Sequence, residues 1–264
     1  MIHGSYFTGN SGVDESHVFI SSGENVRLPC NNALHDCKST TWMYNRFSRS
    51  ATVVLIHLGK KKKNTASHER LSLGSDCSLN IKNVTKEDYG SYCCRQYVKR
   101  QQQGADALVY LHVLHVSSSS SQTEISPGSS VPLSCQLYSS YGLSCDDWIR
   151  SERTEMFWVN QAGVKLTISN FRYQISAPGH CIITLTTTLL NEDDNREWRC
   201  NVTHRDQVKK ATNTVKISAE ADSTTAVIPV HTTNSQDHET KAKEELECEC
   251  LRIPSIISLV WVQR

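Results

Sequence analysis

The sequence carries no catalytic signature. It has no G-x-S-x-G elbow, no glycine-rich phosphate loop and no H-E-x-x-H pair, so no convergent set of groups supports hydrolase, nucleotide or zinc-protease chemistry, and an enzyme is not expected. His57, His112 and His115 fall in strand-patterned runs and read as framework. Excess charge of one sign is also missing. The 28 Lys+Arg face 27 Asp+Glu, which removes the global field that nucleic-acid binding uses. The start, MIHGSYFTGNSG, lacks the apolar core of a secretory leader. No stretch reaches the roughly 20 apolar residues of a spanning helix. The apolar end at Ile253–Val262, IPSIISLVWV, reads as part of a membrane anchor, an alternative C-terminus or a sticky tail.

Cysteine is what the chain has in quantity. Eleven are present, and only Cys248 and Cys250 form a short C-x-C. Cysteines dispersed through strand-patterned sequence read as disulfides made in an oxidising compartment. Either the start is mis-assigned or truncated, or the chain is not secreted by the usual route; a missing leader is the favoured expectation. An odd count leaves at least one thiol without a partner in the chain. Structural zinc needs four ligands, and no second pair stands beside Cys248 and Cys250 at a suitable spacing. No metal or cofactor is expected.

The informative stretch is Leu71–Arg95, LSLGSDCSLNIKNVTKEDYGSYCCR. Leu79 and Ile81 alternate with Asn80 and Lys82, the period of a half-buried strand. Asp88, Gly90, Tyr92 and Cys94 recur at every second position, so Tyr92 and Cys94 share one face. A tyrosine two residues before a cysteine on a late strand is the tyrosine corner of immunoglobulin-type sandwiches. Upstream, Val26, Leu28 and Cys30 share a face, Trp42 follows twelve residues later, and Cys94 lies sixty-four beyond Cys30. Cys, Trp and Cys at these intervals form the core pin of that fold, with the indole packed on an inter-sheet bridge. The run VVLIHLG into Lys60–Lys63 argues for the extra C′/C″ ribbon of a variable-type domain. Val109–Val116 closes it as strand G.

The pattern then restarts. Gly128, Val131, Leu133 and Cys135 repeat Gly23, Val26, Leu28 and Cys30 at an offset of 105 residues, and Cys200 lies sixty-five beyond Cys135. Trp198 takes the place of Tyr92. Trp158, in MFWVNQAGV, is the expected core tryptophan, whereas Trp148 lies in a charged run with Asp146, Asp147 and Arg150. Cys77 precedes Leu79 and Ile81 as Cys181 precedes Ile183 and Leu185. Cys37 and Cys145 follow the first cysteine of their halves. Four cysteines allow three connectivities. The repeat favours Cys30–Cys94 with Cys37–Cys77, and Cys135–Cys200 with Cys145–Cys181. The expected fold is all-β: two tandem immunoglobulin-like β-sandwiches with a disordered C-terminal stalk. Residues 1–17 form an N-terminal arm, 18–116 a V-type domain, 117–126 a linker, 127–218 a C-type-like domain, 219–250 the stalk and 251–264 the short apolar tail.

Residues 18–218 resemble teleost immunoglobulin-superfamily receptors that carry a variable-like domain followed by a constant-like one. GENVRLPC, TTWMYNR, RLSLGSDCSLNIKNVTKEDYGSYCCRQY and MFWVNQAGV carry the likeness. The resemblance implies a cell-surface immune or adhesion receptor with its binding loops at one end of the first domain. It also implies an Arg70–Asp88 ion pair beneath the sheet. The expected location is the extracellular face of the plasma membrane, the alternative being a secreted decoy. Homophilic adhesion is a third reading.

The B–C loop (Asn31–Ser39), the C′–C″ hairpin (Gly59–Thr65) and the F–G loop (Gln96–Asp106) cluster at one end of such a domain. Arg95, Tyr97, Lys99 and Arg100 supply the side chains that protein interfaces favour, so a protein ligand is the expected partner. Lys60–Lys63 offer local charge for an acidic polymer or headgroup. Cys93 faces away from Cys94 and is a candidate for an interchain bridge, as are Cys248 and Cys250. Asn83-Val-Thr and Asn201-Val-Thr are glycosylation sequons.

Overall fold

The computed structural model describes residues 14–215, apart from 35, 47–49, 64–66, 119–126, 141–144, 168–171, 180 and 206. Most of the expected N-terminal arm, the greater part of the linker, Thr65, the stalk and the tail with Cys248 and Cys250 lie outside the described residues.

The first half is built from β1 (Asp14–Ser21), β2 (Val26–Leu28), β3 (Thr40–Asn45), β4 (Val53–His57), β5 (Lys60–Lys61), β6 (Leu71–Leu73), β7 (Leu79–Ile81), β8 (Gly90–Val98), β9 (Gln101–Gln102) and β10 (Ala107–Ser118). One sheet has the order β2-β7-β6, and the other runs β1, β10, β8, β3, β4, β5. These are the BED and A′GFCC′C″ sheets of a variable-type sandwich. The core between them holds Leu28, Trp42, Leu79, Tyr92, Cys94 and Leu111. Each comes from alternate positions of its strand, which is why the period-2 pattern locates them. β1 begins at Asp14 and pairs in parallel with β10 from Asp14↔Ala107. Residues 14–17 are therefore sheet rather than arm. Backbone pairing holds this strand, so its first residues need no apolar alternation.

The second half contains β11 (Ser130–Tyr138), α1 (Cys145–Ser151), β12 (Glu155–Val159), β13 (Tyr173–Gly179), β14 (Ile182–Thr188), β15 (Arg196–His204) and β16 (Gln207–Val215). Its sheets are β10-β11-β14-β13 and β12-β15-β16. This is the ABED over CFG arrangement of a constant-type sandwich. Strand A is the distal part of β10: Val113–Ser118 pair with Tyr138–Leu133, while Ala107–Leu111 pair with β8. One strand thus ends the first sandwich and begins the second. Ser117 and Ser118 belong to it, although the sequence reads there as linker.

Trp158 and Trp198 are fully buried in the second core, and so is Trp148. The charged neighbours of Trp148 misplace it when the run is read as extended. On the short helix α1, Asp147 and Arg150 face solvent while Trp148 turns inward, because side chains spread around a helix rather than alternating across a strand.

Candidate functional site

Disulfides and ion pairs set up the loop end of the first sandwich. Cys30 is bridged to Cys94 across the two sheets with Cα atoms 5.7 Å apart. Trp42 lies against this bridge, its indole N–H donating to the Cys77 carbonyl at 2.9 Å. Cys37 is bridged to Cys77 with Cα atoms 5.2 Å apart, which ties the B–C loop to the start of β7. In the second sandwich Cys135 is bridged to Cys200 and Cys145 to Cys181, with Cα separations of 6.3 and 5.8 Å.

The far end is closed by a polar cluster. The Tyr92 hydroxyl donates to the Asp88 carbonyl at 2.6 Å, satisfying a backbone group at the turn. Arg70 donates to both Asp88 carboxylate oxygens at 2.7 Å, and the Thr85 amide donates to the same carboxylate at 2.7 Å. The hydrogen bond to Asp88 raises the Arg70 pKa. The second sandwich repeats the device with Asp193, which accepts from Arg172 at 2.8 Å, from the Leu190 amide at 2.9 Å and from Arg196. Sequence reasoning missed this copy. The signal was present, since Asp193 stands 105 residues after Asp88, the offset of the cysteine frame.

At the loop end hydrogen bonds fasten the loops. The Asn32 side chain in the B–C loop donates to the carbonyls of Ala105 (2.6 Å) and Cys94 (3.3 Å), which fastens it to the F–G loop. The Gly59 amide donates to the Thr40 carbonyl at 2.8 Å, fastening the C′–C″ turn to the start of β3. Gly59 has φ +74°, and a Cβ there would stand 2.8 Å from the Cys37 carbonyl oxygen. Only glycine fits that approach.

Arg95 does not stand on this surface. It is 4% exposed, and its Nε and Nη2 donate to Asp106 at 2.9 and 2.6 Å. Hydrogen bonding to Asp106, then to Tyr97, raises its pKa. The expectation that Arg95 contacts a ligand is corrected: it closes the base of the F–G loop. Beyond that base, β8 and β9 form a hairpin in which Val98 pairs with Gln101, leaving Lys99 and Arg100 as its two-residue tip. Their φ values are 50° and 69°. Such a turn normally takes Asn-Gly, and placing two bulky residues in the left-handed region costs on the order of 1–3 kcal/mol each.

The surface of this end is basic and partly apolar. Lys38, Lys60, Lys61, Lys62, Lys63, Lys99 and Arg100 are exposed. The acids among the described residues of the three loops are Asp36, 3.8 Å from Lys38, and the buried Asp106. Leu34 of the B–C loop, Leu58 just before the C′–C″ hairpin and Val98 of the F–G loop are 39%, 39% and 41% exposed. Tyr97 is partly buried at the hairpin's root.

Cys93 faces the other way from Cys94, as its alternation requires, yet it is 3% exposed and packs with Met43, Leu108 and Tyr110. It is also disulfide-bonded, so it presents no surface thiol. Asn83 is exposed, whereas Asn201 is partly buried and its side-chain oxygen is enclosed without a hydrogen-bond donor. Among the described residues no group of three or more His, Cys, Asp or Glu side chains is arranged to hold a metal. Within the same residues no helix is long and apolar enough to cross a membrane.

Residues 13–114 match the immunoglobulin V-set domain family. Similar solved structures include murine CEACAM1b, at 21% identity over 76% of this chain and 94% of that one, with a TM-score of 0.30. Domains 3–5 of the Drosophila OTK extracellular region match at 14% identity over 76% and 59% of the two chains, with a TM-score of 0.29. Titin domains I67–I69 match at 13% identity over 78% and 64%, with a TM-score of 0.28. A search of curated proteins finds no match. The family match covers the first sandwich, whose BED and A′GFCC′C″ sheets are those of a variable-type immunoglobulin domain.

Proposed function

We propose that the chain is an immune-type recognition receptor of the cell surface that binds a protein ligand through the loop end of its first domain. The observation that carries this reading is the Lys99–Arg100 tip. Two exposed basic residues are held in a backbone conformation that costs energy, and such strain concentrates at functional sites. A buried ion pair fixes the hairpin beneath them. Exposed Leu34, Leu58 and Val98 add what a purely electrostatic surface lacks, since protein interfaces combine an apolar centre with a polar rim.

Fluorescent tetramers of the intact chain, applied to a panel of cells, test the reading. Binding by the wild type that is lost on Lys99→Glu with Arg100→Glu, and kept on Val208→Ser in the second domain, is the expected result. Cell binding untouched by the tip reversal refutes the loop-end site. Concentration-dependent self-association of the free chain, abolished by the same reversal, assigns homophilic adhesion in place of a separate ligand.

A further inference from the structure

Where the two sandwiches meet, three imidazoles are packed together. His17 comes from β1, His112 from β10 and His204 from the end of β15. His17 Nδ1 lies 2.9 Å from His112 Nε2, and His112 Nδ1 lies 3.0 Å from the Ser139 hydroxyl. The His17 and His204 rings are 5.7 Å apart. Trp148 of α1 stacks 4.7 Å from His112 and 5.8 Å from His204, and Phe19 lies 4.6 and 5.0 Å from the same two rings. His112 and His204 are 0% and 3% exposed. The first domain contributes β1 and β10 to this cluster. The second contributes α1 and β15.

The bond between His17 and His112 fails when both rings are charged. A bond between His17 Nδ1 and His112 Nε2 requires one of the two nitrogens to accept, and an imidazolium has no acceptor. If both rings are charged, two N–H groups face each other. The surroundings offer little to neutralise such charge. Tyr110 stacks on His17 with ring centres 5.3 Å apart and carries none. Glu152, after α1, is the acid that faces the group, 3.4 Å from His204, and it is already shared with Arg205 at 2.9 Å. Among the described residues other contacts cross the junction: the Ser21 hydroxyl donates to the Lys210 carbonyl at 2.5 Å, Lys209 pairs with Glu24 at 2.6 Å, Tyr89 lies 5.7 Å from Tyr138 of β11, and Phe19 and Leu114 pack in the second core.

We propose that this junction is an acid-opened hinge, in which protonation of His17 and His112 parts α1 and β15 from β1 while the shared strand β10 keeps the two domains joined. Burial, then the His204 charge, lowers the His17 pKa to about 4. Burial likewise lowers His112 well below its ordinary 6.5. Opening returns both rings to water and to ordinary values, so the open form binds more protons between those limits. Opening is therefore favoured as pH falls below about 6.5 and is disfavoured above it. From His17 alone the opening constant rises by up to about 30-fold between pH 7.5 and 5, less where solvent screens the partly exposed ring. His112, more deeply buried, adds a further factor.

Hydroxyl-radical footprinting of the intact chain at pH 7.5 and pH 5.0, read by mass spectrometry, tests the hinge. Oxidation of Trp148 and Phe19 is expected to rise at least several-fold at pH 5.0, while the core residues Trp42 and Trp158 stay constant as internal references. His17→Phe with His112→Phe, which keeps the stack and removes the titration, is expected to abolish the rise. Single His17→Gln, a milder change, is expected to reduce it. The hinge is overturned if Trp148 remains as protected as Trp42 at both pH values. It is equally overturned if the rise persists undiminished in either variant.

Discussion

Replacing Asp106 with asparagine takes from the buried Arg95 guanidinium the carboxylate to which it donates. The structure sets the scale of the damage. The two side chains are 5% and 4% exposed, and they share two hydrogen bonds of 2.9 and 2.6 Å, so solvent cannot take over the lost charge. Removing one partner of such a pair costs about 3–5 kcal/mol, whereas replacing both by apolar residues of similar volume is about neutral. For a domain near 100 residues each kcal/mol shifts the midpoint by roughly 4–8 °C, so Asp106→Asn lowers the melting temperature of the first domain by at least about 12 °C. Arg95→Met with Asp106→Leu restores most of that stability. Circular dichroism melts of the three proteins provide the readout. A loss under about 1 kcal/mol for Asp106→Asn, or a double variant as unstable as the single one, refutes the claim that an enclosed ion pair holds the F–G loop.

Three further outcomes are expected. Cys37→Ala with Cys77→Ala opens a bridge spanning 40 residues and costs about 2–4 kcal/mol in urea titration, with the strand content kept because Cys30–Cys94 remains. Gly59→Ala forces a Cβ within 2.8 Å of the Cys37 carbonyl oxygen at a φ of +74°. It lowers the melting midpoint and weakens cell binding by displacing the C′–C″ turn, and a variant as stable and as active as wild type contradicts that packing. Burial pushes the Asp193 carboxyl up, but the Leu190 amide, Arg196 and Arg172 outweigh it and hold the group below its ordinary 3.8. Its contribution is thus complete at neutral pH and is lost as pH falls below about 4, and Asp193→Asn flattens the acid limb of the stability–pH curve measured in urea.

The sandwich frame is legible in the sequence because it rests on a short period and fixed intervals. Leu79 and Ile81 face the core because side chains alternate, and Cys30, Trp42 and Cys94 meet between the sheets at the spacing their strands impose. Where partners are distant or local cues conflict, the sequence is silent. Nothing near Arg95 announces that Asp106 will claim it. Trp148 sits among charges that only a helix turns outward. The first residues of β1 are polar because an edge strand is held by its backbone. The double use of β10 is invisible because VYLHVLHV looks the same whether it pairs with one sandwich or two. At the loop end, the basic residues of the F–G turn are plain in the sequence, but the strained conformation that presents them is a property of the hairpin register.

Both sandwiches depend on the covalent frame that sets two sheets face to face in each half. Peptide mapping of the unreduced chain tests it most directly. The account predicts cross-linked peptides joining Cys30 to Cys94, Cys37 to Cys77, Cys135 to Cys200 and Cys145 to Cys181. Recovery of Cys30 linked to Cys37, or of Cys135 linked to Cys145, contradicts it.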